Sequence, residues 1–357
     1  MIQKKYYKLV RVSYEDSGYM YIKNISNETG VFKLIKTGSP NTRDLQYSTD
    51  GVNWTPYNFT DLEQIPVAPQ AHIYFRGNNN GSFNNGDENN CYSFNFDKNC
   101  EAGGNIFSLC KQDPVDFSEL TIAKGFSGLF LNCTTLTKAP DCSHIISVYE
   151  YGMRSAFRNT GLINSPDFSN LTTIGFGGMP GLFRGCTSLI TAPNFNNVNA
   201  LSGGGGQFQG AFYGCTSLIS APNFNSLTDI PGSALQECFY GCSSLINAPF
   251  LSNVVSISNH GLDSCFRDCS NLNSGPDFSN IITTSVNMDF AYCFRNCYKL
   301  SEVTAPNIQD WNTSTFYVWM QNAGRDVTGT KTMYCPAGTV IPTSNDGIPS
   351  GWTRVDY

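Results

Sequence analysis

Phe239-Tyr-Gly-Cys242-Ser-Ser-Leu245-Ile-Asn-Ala-Pro249 holds the phrase F-x-x-C-x-x-L followed shortly by a proline, and that phrase recurs down the C-terminal two-thirds of the chain. Copies begin at Phe130, Phe183, Phe212, Phe239, Phe266 and Phe294. A degenerate copy at Phe157 is one residue shorter and has Thr160 where the cysteine should stand. With Phe157 counted, successive Phe residues lie 27, 26, 29, 27, 27 and 28 apart. A fixed period in this range marks a solenoid, in which each unit buries its apolar side only by stacking on the next. Such arrays bind along a surface more often than they enclose a reaction.

Aligning the copies turns the period into columns. Two residues after each Phe stand Asn132, Asn159, Gly185, Gly214, Gly241, Asp268 and Asn296. These are the residue types that tolerate positive φ. The column predicts a short helical turn ending at each Phe, with a left-handed cap two residues on. Leu136, Leu189, Leu218, Leu245, Leu272 and Leu300 then open an extended segment. Pro140, Pro166, Pro193, Pro222, Pro249, Pro276 and Pro306 mark its middle, so regular strand pairing is expected to be short and interrupted there. Phe168, Phe195, Phe224 and Phe278, each with a Leu, Val or Ile three residues later, complete the expected core.

Fourteen cysteines would suggest a disulfide framework, but their placement argues for another role. Cys133, Cys186, Cys215, Cys242, Cys269 and Cys297 share one column. Cys238, Cys265 and Cys293 share another with Leu129, Ala156, Leu182 and Ala211. A slot filled by Cys, Leu or Ala asks for a small apolar group, so buried thiols acting as small hydrophobes are expected. The C-x3-C pairs could suggest zinc, yet four ligands are needed and only His260 lies near any pair; no metal and no cofactor are expected. A disulfide within a pair fits a helical turn poorly, while one between adjacent rungs is geometrically possible.

Residues 1–120 lack the repeat and read as short strands. Tyr6–Val12, Tyr19–Ile25, His72–Arg76 and Tyr92–Phe96 are aromatic and β-branched runs. Leu45 to Tyr57, with Asp50-Gly51 at its centre, reads as a hairpin. Ser48 to Trp54 is close to the Asp-box of sialidase propellers but lacks one residue and occurs once, so a plain hairpin is the expectation. Gly77 to Asn90 reads as an exposed loop. Trp311–Met320 departs from the repeat, and the tail to Tyr357 reads as the cap that a stacked array requires. The expected organisation is a β-rich domain over 1–120, an array over 121–310 and a cap over 311–357.

Composition narrows the partners. Charged residues make up 14% of the chain, net charge is −6, and no Lys/Arg run occurs, which excludes a nucleic-acid face. The hydroxyl- and amide-rich remainder suits neutral partners. No apolar stretch reaches the ~18–20 residues that a membrane span requires, so no membrane insertion is expected. The N-terminal Met1 to Val10 has positive charge without an apolar region behind it, and a secretory leader is therefore not expected.

The repeat phrase resembles the BspA-type leucine-rich repeats, over about residues 126–310. The resemblance implies a protein that is mainly β with short helical turns. Its parts would be a small N-terminal antiparallel β domain, a leucine-rich-repeat solenoid of about seven 26–29-residue repeats, and a C-terminal cap. It also implies adhesion to host matrix, cells or glycans, as in surface proteins of gut and oral bacteria and in phage-encoded proteins, and it implies no catalytic residue. Joined to the missing leader and unpaired cysteines, it points to a phage fibre or tail protein at the virion surface, made in the host cytoplasm. Its partners would be a host cell-surface glycan or protein and other virion subunits, with homo-oligomerisation open. A bacterial cell-surface adhesin, a purely structural virion component and a glycan depolymerase are the alternatives.

Three columns are candidate contact surfaces. Lys138, Asn164, Thr191, Ser220, Asn247 and Ser274 are polar throughout and are expected to face water. Just after the prolines come Asp141, Asp167, Asn194, Asn223 and Asp277, which could bind sugar hydroxyls or only satisfy turn backbone. Asp141 with Asp167 could also form the paired carboxylates of a glycosidase, which stand ~5–9.5 Å apart. Arg158, Arg184, Tyr213, Tyr240, Arg267 and Arg295 form a stripe that could pack on itself through cation–π contact or meet a protein partner.

Overall fold

The computed structural model describes residues 18–79, 82–110, 121–285, 287–309 and 311–357. The Tyr6–Val12 run lies outside them. Eight strands build the N-terminal part: β1 (Met20–Asn24), β2 (Gly30–Lys36), β3 (Gln46–Ser48), β4 (Thr55–Pro56), β5 (Ile65–Val67), β6 (His72–Arg76), β7 (Tyr92–Phe96) and β8 (Cys100–Gly103). Strict in–out alternation in β1 and β2 gives each one buried face. β2 sits between β5 and β7, and β1 between β6 and β8, all antiparallel. The two layers meet through rings: Phe32 lies 4.6 Å from Phe75, and Phe75 4.9 Å from Phe94. β3 and β4 form the expected hairpin. Asp50 closes it, its carboxylate accepting from the N–H of Val52 and Asn53 (2.9 and 2.7 Å), and those bonds hold its carboxyl well below the usual range.

Among its described residues, the 77–90 segment is not the exposed loop expected. Phe83 and Asn84 are fully buried. The Asn84 side chain donates to the carbonyls of Tyr92 and Ser127 (3.0 and 2.7 Å), tying the N-terminal layers to the first repeat. Its composition, polar and Gly-rich, hides a single Phe and Asn that anchor it.

The array begins on this platform. Phe94 N–H donates to Leu129 O (2.7 Å), and Phe94 stands 5.9 Å from Phe130. β7 thus provides the surface on which the first repeat stacks. After β9 (Ile122–Ala123), β10 (Leu136–Lys138) joins β8 in parallel.

Each later rung has three sides. One carries short parallel strands: β11 (Ser147–Val148), β12 (Thr173–Ile174) and β13 (Ala200–Leu201) stack on β9, and β14 (Asp229–Ile230) pairs with β15 (Ser256–Ile257). A second side holds single parallel bridges joining Asn164, Thr191, Ser220, Asn247 and Ser274 in turn. Pairing is this short because the buried prolines follow at once and cannot donate.

The third side, which contains the repeat phrase, is where expectation and structure part. It is a run of tight turns, not a helix. The N–H groups of Gly128, Phe130 and Asn132 donate to Arg154, Ala156 and Arg158 of the next rung (2.9, 2.7 and 2.9 Å). The intervening Leu129, Leu131 and Cys133 instead donate back to the third residue before each (3.0 to 3.2 Å). A helix would send every N–H along its own axis. Left-handed residues recur every fourth position, as at Ser233, Glu237 and Gly241 (φ 56, 54 and 71). Gly241 and its column partners showed the pattern, but the preceding left-handed column reads Gly128, Ser155, Gly181, Gly210, Glu237, Ser264 and Tyr292, whose mixed chemistry conceals it.

Inside, the repeat Phe rings form one stack. From Phe130 through Phe157, Phe183, Phe212, Phe239 and Phe266 to Phe294, centroids are 5.4 to 5.8 Å apart. Each fully buried ring contributes about 1.5–3 kcal/mol by removal from water. The stack continues into the tail. Asn322 donates to Asn296 as Asn296 does to Asp268 (2.8 and 2.6 Å), which puts Met320 in the Phe slot and Ala323 in the Cys slot. β16 (Ser274–Asp277), β17 (Glu302–Thr304), β18 (Thr332–Cys335) and β19 (Thr353–Asp356) form a four-stranded parallel sheet. Trp311, Trp319 and Trp352 cover the last rung, each indole N–H bonded to a backbone carbonyl. Among the described residues no helix is long and apolar enough to cross a membrane.

Candidate functional site

The cysteine column is part of the scaffold in a more specific way than its size suggests. The thiols of Cys186, Cys215, Cys242, Cys269 and Cys297 each donate to the carbonyl of the Phe one rung earlier (2.9 to 3.1 Å). A small group would fill the slot, but only one with a donor also serves that buried oxygen. Thr160, the exception in the column, gives its hydroxyl instead to Phe157 O of its own rung (2.9 Å). All fourteen cysteines are buried free thiols. A hydrogen bond with Cys100 lowers Cys133, whereas burial pushes the later members of the column up: Cys186 to about 11, and Cys215, Cys242 and Cys269 well above the usual thiol value. Such thiols are inert as nucleophiles at neutral pH.

The polar column Lys138, Asn164, Thr191, Ser220, Asn247 and Ser274 is exposed throughout. Bridges fix the last five in register, and Thr191 Oγ1 donates to Asn164 Oδ1 (3.0 Å). Beside it runs a second exposed column that the repeat alignment did not single out: Ile163, Ile190, Ile219 and Ile246, exposed by 44, 42, 45 and 40%. A column of isoleucines reads as core, and only its position next to the buried Leu column turns it outward. Together the two columns make a strip of sec-butyl groups edged with hydroxyls and amides. Shallow depressions follow it, one of about 450 Å³ between Ile190 and Asn223 and one of about 580 Å³ between Lys138 and Asp167.

The post-proline column serves the chain first. Asp141, Asp167, Asn194 and Asp277 each accept from the N–H two residues on (2.8 to 2.9 Å), an Asx turn that caps the bend. Asn223 is exposed at the corresponding place. One carboxylate oxygen of Asp141 and of Asp167 is thus committed to structure. A neighbouring amide column went unnoticed in the sequence. Asn170, Asn197, Asn253 and Asn280 donate to carbonyls one rung earlier (2.6 to 2.9 Å), and this column stands two residues after the second Phe column.

The Arg/Tyr stripe packs on itself and stays half-exposed. Arg184 lies 3.9 Å over Tyr213, which stacks on Tyr240 at 4.6 Å, and Arg267 lies 5.1 Å over Tyr240. Arg295 stacks on Tyr292, off the stripe. Arg158 is taken by the N-terminal part, pairing with Glu88 at 3.3 Å.

A stack of parallel rungs with uniform outward columns defines a solenoid of the leucine-rich, binding-type class. Residues 154–321 match the model of the BspA type leucine rich repeat region, in six copies, and the array is a repeat region of that family. No curated protein and no solved structure matches the chain.

Proposed function

We propose that this chain is a non-enzymatic recognition protein, carried on a virion as a fibre or tail component, that holds a host cell-surface glycan or protein along its repeats. The observation that supports it most is the exposed strip in which Ile163 to Ile246 run beside Asn164 to Ser274. Its side chains repeat at the ~4.8 Å spacing of paired strands and are fixed by the backbone, so a partner meets a surface that needs no ordering. Sparse charge favours a neutral partner. Fourteen buried thiols suit assembly in a reducing cytoplasm, as for a virion protein, better than export. A bacterial surface adhesin uses the same strip in another setting. A structural virion role is the second reading, favoured by the half-exposed Arg/Tyr edge, which suits a flat protein partner.

The test is binding of labelled full-length protein to a panel of gut bacterial strains, with and without capsule, with soluble sugar assayed in the same tubes. Strain-selective binding without sugar release is expected. Sugar release would make the protein a depolymerase, and binding to no strain would favour the structural role.

A further inference from the structure

The longest step of the repeat, 29 residues between Phe183 and Phe212, contains Gly203–Gly206, and the structure gives that insert a use. All four glycines have positive φ (82, 104, 137 and 71). The value at Gly205 lies outside the region any other residue adopts readily, and a Cβ there would collide with the Gly232 carbonyl. Four consecutive glycines lose more chain entropy on folding than any other tetrapeptide, so the insert is destabilising by itself. At Gly204 packing does not offset that cost. A Cβ on Gly204 would meet nothing nearer than Phe176 Cδ2 at 3.9 Å.

The insert instead bounds a recess of about 370 Å³ on a different edge of the array from the isoleucine strip. Phe176, exposed by 46%, forms one wall, with Tyr151 edge-on to it at 5.3 Å. Gln209, whose Nε2 donates to Gln236 Oε1 (3.0 Å), and Ser233 also line it. Gly205 is buried, yet among the described residues its N–H and those of Gly203 and Gly204 donate to nothing. Arg154 closes the end, its guanidinium 5.4 Å over Tyr151. Glu88, which it shares with Arg158, holds it through Nε and Nη2 (3.2 and 3.1 Å), so that edge of the guanidinium is already engaged.

We infer that this recess is a subsite for a neutral pyranose unit of an oligosaccharide. The inference rests on the recognition reading above and names one contact within it. A sugar ring is apolar on its C–H faces and ringed by hydroxyls. Phe176 supplies the flat apolar wall, while the free glycine N–H groups, Gln209 and Ser233 supply donors and acceptors for the rim. An uncharged ligand is favoured because the Nε–Nη2 edge of Arg154, the edge that would grip a carboxylate, is already taken by Glu88.

The experiment titrates the full chain with a panel of neutral oligosaccharides of hexose and N-acetylhexosamine units, with a uronic-acid oligomer as the charged arm. Phe176→Ala and Gln209→Ala are carried in parallel. Both side chains are exposed, and unchanged thermal midpoints show that the fold survives. A neutral oligosaccharide should bind the wild type and lose about tenfold or more in affinity with Phe176→Ala, a change of ~1.4 kcal/mol or more. Equal binding by wild type and both variants would overturn the subsite. So would preference for the uronic-acid oligomer. Strain binding without any oligosaccharide binding would overturn the subsite and leave the recognition reading standing. Loss of both would remove both.

Discussion

The N-terminal sandwich and the repeat array bury similar side chains by opposite strategies. In the sandwich each contact is particular. Phe32 meets Tyr57 edge-on and Phe75 at a tilt, and the buried Asn24 amide alone serves the carbonyls of Glu28 and Val67 (2.8 and 3.0 Å). In the array one contact is made again and again: a Phe ring on a Phe ring, a thiol on the carbonyl below. The sandwich is therefore one cooperative unit, while the array is close to a sum of nearest-neighbour terms. That difference makes the array easy to read from sequence, and it exposes the array to any condition that acts on every rung at once.

Alkaline pH is such a condition and should have the largest effect. Burial raises the thiols of Cys186, Cys215, Cys238, Cys242, Cys265, Cys269, Cys293 and Cys297 above their unfolded value. Below about pH 8.5 both states hold the protons and nothing is lost. Above it the unfolded chain ionises first and stability falls, by about 1.4 kcal/mol per pH unit for each thiol. The loss continues until each folded value is reached, about 11 for Cys186 and higher for the others. Circular dichroism melts between pH 8 and 10.5 should show the array failing steeply. Replacing several of these cysteines by Ala should flatten the slope, and an unchanged slope would break the account.

Next comes the Phe stack. Phe239→Ala, in mid-array, should cost about 3–5 kcal/mol and split denaturant unfolding into separate steps on either side of the gap. Phe32→Ala should cost as much but unfold the sandwich as a unit. A single shared transition in both variants would mean that the two regions are one cooperative body.

A smaller effect separates the two roles of the cysteine column. Cys242→Ala removes volume and the donor to Phe212 O, and should cost about 1–3 kcal/mol. Cys242→Ser keeps a donor in a smaller group, so it should recover part of that loss. If Ala proves the better replacement, the thiol is only a space-filler. Smallest of all, Asn253→Ala removes an exposed amide bond to Asn225 O and should cost about 0.5–1.5 kcal/mol in urea unfolding.

What the sequence made legible follows the same division. The period, the Phe and Leu core, the proline-interrupted pairing and the water-facing column from Lys138 to Ser274 could be read because each recurs with one chemistry. The turn side was misread as helical because one of its left-handed columns accepts Glu237 and Tyr292 as readily as glycine. The isoleucine strip was invisible because composition cannot distinguish Ile219, outside, from Leu218, inside. The burial of Phe83 and Asn84 depends on a partner more than 40 residues away, Ser127, which no local pattern announces.

The central claim is that the fixed strip on the repeats holds a partner on a cell surface. The most direct measurement is retention of labelled full-length protein on a strain panel beside its Ile219→Glu variant, which places a charge at the centre of the strip and leaves the core untouched. The account predicts strain-selective retention by the wild type and a drop of about tenfold or more in the variant, as for a residue central to an interface. Retention by no strain, or equal retention by both proteins, would contradict it.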